Sequence, residues 1–157
     1  MKLSRFEDLD CWQAATELAT EIYHLTKDGE VRKDFGFCDQ VRRAAVSIAS
    51  NIAEGKERGT ANELIRFLFI AKGSAGELRT QLFIAHRIGY LKADKFQELN
   101  ERVERIGGMI GNLIKALKQK RKPFSRYTFL AFLALYLSRS LINQKQKSDN
   151  FGQRPPE

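Results

Sequence analysis

The sequence predicts an all-α fold, an antiparallel up-down-up-down four-helix bundle, and three observations predict it. Apolar residues recur at steps of three and four in four separate stretches, the spacing that builds one greasy stripe along a helix. The first proline is Pro123, so nothing before it interrupts a long helix. Runs of β-branched residues, the mark of strands, are absent. A chain of 157 residues with 43% hydrophobic content is large enough for one real core.

The first helix is expected over residues 6–26, with Leu9, Trp12, Ala15, Ala19 and Ile22 as its stripe. Asp8 and Asp10 fall in its first turn, where carboxylates oppose the helix dipole. Residues 27–36, KDGEVRKDFG, break the pattern and read as a loop. The second helix starts near Cys38 or Asp39. Val41, Ala45, Ile48 and Ile52 form its stripe, with Ala44 and Ala49 beside it, and Gly55 is the expected left-handed stop.

Thr60 followed by Glu63 has the T-x-x-E spacing of a capping box and opens the third helix. Its stripe is Leu64, Leu68, Ala71, Ala75, Leu78, Leu82 and Ala85, and Gly89 is its expected C-cap. Gly73 and Gly76 interrupt it, at a cost of about 1 kcal/mol each relative to alanine. The expected return is close approach of a neighbouring backbone.

The fourth helix is expected over residues 93–120. Phe96, Leu99, Val103, Ile106, Ile110, Leu113 and Leu117 make a heptad seam, the pattern of helices packed at shallow angles. At 1.5 Å per residue it should be about 40 Å long. Gly107, Gly108 and Gly111 again suggest a close neighbour.

The domain organisation expected is a bundle over residues 1–122, an apolar C-terminal segment over 123–142, expected to be helical, and a tail over 143–157 of disordered composition. The uncharged part of the apolar segment, residues 127–138, is too short to cross a bilayer as a helix. Either a fifth helix over the bundle or a docking segment for a second chain fits it.

Net charge is +8. Through Lys122 there are 22 Lys+Arg against 17 Asp+Glu, and the remainder adds 5 against 2. A basic excess favours polyanionic partners such as RNA, DNA or an anionic surface. Cys11 and Cys38 form no CxxC pair, which points to a reducing cytoplasm and not to a disulfide scaffold. The opening MKLSRFEDLD turns acidic where a secretion signal would turn apolar.

Chemistry of the catalytic kind finds few candidates. His24 and His86 lie on different helices and neither has His or Cys at i+3 or i+4, so no metal is expected. No nucleophile elbow, P-loop or dinucleotide fingerprint is present. GKERGT lacks the GK[ST] ending of a phosphate loop. Glu54 with Glu57 or Glu63 is a conceivable carboxylate pair, but helix-end acids usually cap or face water. No enzyme activity and no cofactor are expected.

The basic residues carry more. Arg42 and Arg43 begin the second helix, and Lys56 and Arg58 follow its expected end. Lys72 and Arg79 are seven apart and share a helical face. Lys118, Lys120, Arg121 and Lys122 cluster near the end of the fourth helix, where cations also suit the dipole. These are the expected phosphate contacts, and phosphate binding needs no more than such a positive surface. Ser47, Ser50 and Glu54 share a face with Arg43, and Asn51 sits beside them. This polar stripe is expected to serve packing or contact between subunits.

The stretch VRRAAVSIASNIAEGKERGT, continuing through FLFIAKGSAGELRTQL to RIGYL, with FEDLDCWQAA before it, resembles a known family. It is similar to the bacterial four-helix-bundle proteins encoded in intervening sequences of 23S rRNA genes, and to the accessory variability determinant proteins of diversity-generating retroelements. The resemblance covers residues 6–120. It implies a homo-oligomeric ring, commonly a pentamer, with no known catalytic activity. The retroelement relatives bind nucleic acid through basic surfaces and associate with a reverse transcriptase. Family members usually carry proline where Ala49 stands, so this second helix should be straighter. The apolar segment after Pro123 lies beyond the family's usual length.

The function expected is a non-enzymatic homo-oligomer that binds RNA or DNA through phosphates. The alternative is a scaffold that docks a protein partner, for example a reverse transcriptase, through the ring or the apolar segment. Membrane attachment through KQKRK and the segment after it is the weaker expectation.

Overall fold

A computed structural model describes residues 5–120. Four α-helices fill them: α1 Asp10–Leu25, α2 Phe35–Glu57, α3 Ala61–Arg87 and α4 Ala93–Lys120. One compact unit holds the chain as far as Gln119. Arg121, Lys122, the apolar segment 123–142 and the tail 143–157 lie outside the described residues.

Short connections make sequential helices antiparallel neighbours. The ring of neighbours closes because α4 also meets α1: Lys95 and Arg102 both pair with Glu21. Inside, Leu18 and Ile22 of α1, Ile48 and Ile52 of α2, Leu68, Leu78 and Leu82 of α3, and Leu99, Ile106 and Ile110 of α4 are fully buried. Each such side chain contributes about 1.5–3 kcal/mol on leaving water. The α2 and α3 stripes read from the periodicity are buried throughout. In α1, Leu18 and Cys11 join the core while Trp12 stays half-buried against Phe6. In α4, Ile114 completes the seam, and Phe96, Leu113 and Leu117 pack partly buried along its edge.

The helix ends differ from the expectation at three places. Residues Phe6–Asp8 form a separate 3-10 turn, and Leu9, with extended backbone, divides it from α1. The expected loop 27–36 contains a 3-10 turn at Glu30–Lys33, and α2 begins at Phe35 because the Asp34 carboxylate accepts from Phe37 N–H at 2.9 Å. Gly55 does not stop α2. It is buried inside the helix, and Gly59, at φ +75°, follows the true end.

The opening of α3 has one half of the expected capping box: the Thr60 hydroxyl accepts from Glu63 N–H at 3.2 Å. The Glu63 carboxylate turns instead to Arg58 and Arg66. Gly89 ends α3 as expected, at φ +84°. Tyr90 N–H reaches the Ala85 carbonyl at 2.8 Å and Gly89 N–H that of His86 at 3.1 Å, the Schellman arrangement.

Candidate nucleic-acid interface

The glycines of α3 and α4 define the site, and they do so by standing open. Close approach was expected at all of them. A Cβ added to Gly73, Gly76, Gly107 or Gly108 would meet nothing within 4 Å, and at Gly111 only the Lys72 ammonium, at 3.9 Å. Among the described glycines, Gly55 alone has a neighbour closer than ordinary contact: an added Cβ would lie 2.6 Å from Phe67 Cβ and 3.3 Å from Leu64 Cα. The missing side chains therefore leave a trough on the outer side of the α3–α4 seam. Two adjoining hollows of about 320 Å³ each mark it. Gly76, Gly107 and Gly108 line it, with Lys72 and Arg79 on one bank and Asn100 and Glu104 on the other.

Charge along this trough is mostly positive. Lys72 has no carboxylate partner among the described residues, and neither does Lys115, exposed one turn beyond Gly111. Lys118 crosses from α4 to sit over the Phe69 ring, 4.9 Å from its centroid. Arg79 donates to Asn100 Oδ1 at 3.1 Å and pairs with Glu104. At the upper end Arg87 lies 5.4 Å over the Phe83 ring. Of the residues that line the two hollows, Lys72 and Arg79 carry positive charge and Glu104, the partner of Arg79, carries negative charge.

The other expected contacts are scattered. Arg42 is taken up inside the bundle. Its Nε donates to Thr26 Oγ1 at 2.7 Å and its Nη2 to the Thr26 carbonyl at 2.9 Å, so the guanidinium caps the C-terminus of α1. Arg43 pairs with Asp39 one turn earlier. Arg58 pairs with Glu54 and stacks over Phe67, and the Glu54 hydrogen bond raises its already high pKa. Lys56 has no ion-pair partner among the described residues, but it lies at the far end of α2 from Arg42 and Arg43. Lys120 ends α4, and Arg121 and Lys122 lie outside the described residues.

The polar stripe of α2 separates into three roles. Ser47 shares a hydrogen bond with Ser74 of α3, and Asn51 Nδ2 donates to the Ser47 carbonyl at 2.7 Å and hydroxyl at 3.0 Å. These two belong to the α2–α3 interface. Glu54 holds Arg58. Ser50 faces the other way and helps line an apolar groove of about 670 Å³ between α1 and α2, beside Trp12, Tyr23, Val46 and Ala53.

Sequence reasoning missed Phe69, Phe83 and the Glu21 pairings. A signal for the first two was present. Phe69, Gly76 and Phe83 repeat at seven, and so do Lys72 and Arg79 beside them, which places aromatic, open and cationic positions along one edge of α3. No cluster of three or more His, Cys, Asp or Glu that could hold a metal occurs among the described residues. Cys11 and Cys38 are free and buried, and burial raises both thiols above their ordinary range. No described helix is long and apolar enough to cross a membrane.

The profile of the 23S rRNA-intervening sequence protein family matches residues 7–112. The chain belongs to that family. The described fold is also similar to a solved structure, a protein with unknown function from the S23 ribosomal protein family from Bacteroides thetaiotaomicron VPI-5482. The two share 24% identity over 67% of this chain and 95% of that one, with a TM-score of 0.63. No curated protein matches the chain. As a member of the 23S rRNA-intervening sequence protein family, the chain carries most of the trough within the matched region, including Lys72, Arg79, Phe69 and Phe83. Lys115 and Lys118 lie beyond it. Helix α2 runs unbroken through Ala49.

Proposed function

We propose that this family member is a non-enzymatic, homo-oligomeric bundle that binds the phosphate backbone of RNA or DNA along the α3–α4 trough. One observation carries the reading: the glycines stand open beside Lys72, and Lys72, Lys115 and Lys118 have no carboxylate partner among the described residues. Phosphates would supply the missing counter-charge, and release of their own counterions would drive binding. Of the residues expected from sequence, Lys72, Arg79 and Lys118 belong to this reading and Arg42 does not. The cytoplasm is its setting, where the two thiols stay reduced.

Self-association draws its support from apolar residues left in water. Ile70, Ile84 and Ile88 are about half exposed on the side of α3 away from α4, and Phe35 is 81% exposed. Burying such residues against further copies, in a ring such as a pentamer, is the arrangement we favour. The same surface also suits the second reading, a scaffold for a protein partner such as a reverse transcriptase. Light scattering gives the subunit number, and a mass equal to one 18.0 kDa chain would end the oligomer reading.

The test of binding is retention of labelled RNA and DNA on a filter at low salt. Retention by the natural chain, and its loss in the variant Lys72→Glu/Lys118→Glu, is the expected result. No retention of either nucleic acid would refute the proposal.

A further inference from the structure

The trough is bounded at both ends by exposed aromatic rings, and this narrows the class of nucleic acid. Phe69 is 50% exposed and Phe83 51%. Each ring has a cation over it, Lys118 at Phe69 and Arg87 at Phe83. Phe83 is also held edge-on against Phe96 of α4, with centroids 5.7 Å apart, so its orientation is set by packing. Phe69 and Phe83 are fourteen residues apart on one helix face, or about 21 Å at 1.5 Å per residue.

We infer that the trough takes a single strand of RNA or DNA, with unpaired bases stacked on Phe69 and Phe83 and the backbone running between them past Lys72, Arg79, Lys115 and Lys118. The inference rests on the phosphate-binding reading above. A duplex offers its phosphates but keeps its base faces stacked inside, so the two rings gain nothing from it. A single strand exposes both, and a positive groove flanked by aromatic platforms is the arrangement that holds single strands without reading their sequence. The distance between the rings suits about six nucleotides at 3.4 Å per step, and fewer when the strand is extended. Lys118 and Arg87 hang on long stems, so each can yield a ring face to a base and still reach the adjoining phosphate. The open glycines let the sugar–phosphate chain lie close to the helix backbones.

Fluorescence anisotropy of the full chain tests this, with a labelled twelve-nucleotide oligouridylate, a mixed-sequence strand and the corresponding duplex at low salt. The single strands should bind more tightly than the duplex. Phe69→Leu and Phe83→Leu should each weaken single-strand binding about fivefold or more and leave duplex binding unchanged, while Lys72→Ala weakens both forms. Circular dichroism melting of the leucine variants checks that the bundle is intact. Equal affinity for duplex and single strand, or unchanged single-strand affinity in folded leucine variants, overturns the inference and leaves phosphate binding standing. Failure to bind either form removes both.

Discussion

Ser47 of α2 and Ser74 of α3 meet hydroxyl to hydroxyl at 2.9 Å across the interface between the two helices. Asn51 adds to the Ser47 side, and Ser74 lies within 3.2 Å of the Ile70 carbonyl. The link joins the two helices through hydroxyls that each also have a partner on their own helix. Ser74→Ala should cost about 1 kcal/mol, in the range of a lost neutral hydrogen bond. A double-mutant cycle with Ser47→Ala, followed by urea unfolding, should return a coupling of about 0.5–1.5 kcal/mol. Zero coupling would mean that the two hydroxyls ignore each other in solution.

Two glycine-to-alanine changes should move stability in opposite directions. At Gly55 the new methyl would strike Phe67 Cβ and the Leu64 backbone, so α2 and α3 must part, and a loss of about 1–3 kcal/mol is expected. At Gly76 nothing lies within reach, and alanine should gain up to about 1 kcal/mol from helix propensity alone. Thermal melts of the two variants give the sign directly.

That contrast also shows what periodicity can and cannot tell. Fold class and stripe follow from one helix's own spacing, so Leu64 through Ala85 and Leu99 through Ile110 were legible. A glycine's role depends on what stands opposite it, which no single helix records. Gly55 therefore read as a stop and proved a contact, while Gly76, Gly107 and Gly108 read as contacts and proved open. The same limit applies to Arg42, whose helical position gives no sign that the Thr26 carbonyl ends α1 beside it. The trough was half legible: Lys72 and Arg79 were placed together by their spacing, but Lys118 and Phe69 come from different helices and meet only in the bundle.

Glu21 on α1 holds both Lys95 and Arg102 of α4 in a partly buried cluster. Glu21→Gln leaves Arg102 at a helix interface without its carboxylate, while Lys95 keeps its pair with Glu98. Loss of about 1–3 kcal/mol is expected, more than for an exposed pair such as Arg43–Asp39, where Asp39→Asn should change stability by less than about 1 kcal/mol. Equal effects in chemical denaturation would contradict the placement of α4 against α1.

Tyr90 donates its hydroxyl to Asp34 Oδ2 at 3.2 Å, and desolvation together with that bond raises its pKa above the usual tyrosine value. The native state therefore holds the phenolic proton more tightly than the unfolded chain does. Its contribution is complete below the unfolded value of about 10 and is lost as pH rises from there through the native value. Ultraviolet titration should show a late-ionising tyrosine that disappears in Tyr90→Phe and moves down in Asp34→Asn. Ordinary titration of Tyr90 would contradict the bond.

The central claim is that phosphates engage the lysines of the α3–α4 trough, and the salt dependence of single-strand affinity measures this most directly. The logarithm of the binding constant should fall linearly with the logarithm of salt concentration, losing about 0.7 of slope per neutralised phosphate. In Lys72→Ala/Lys115→Ala/Lys118→Ala the slope should shrink by about two. A slope that stays the same in the folded triple variant, or no dependence on salt in the natural chain, would contradict the account.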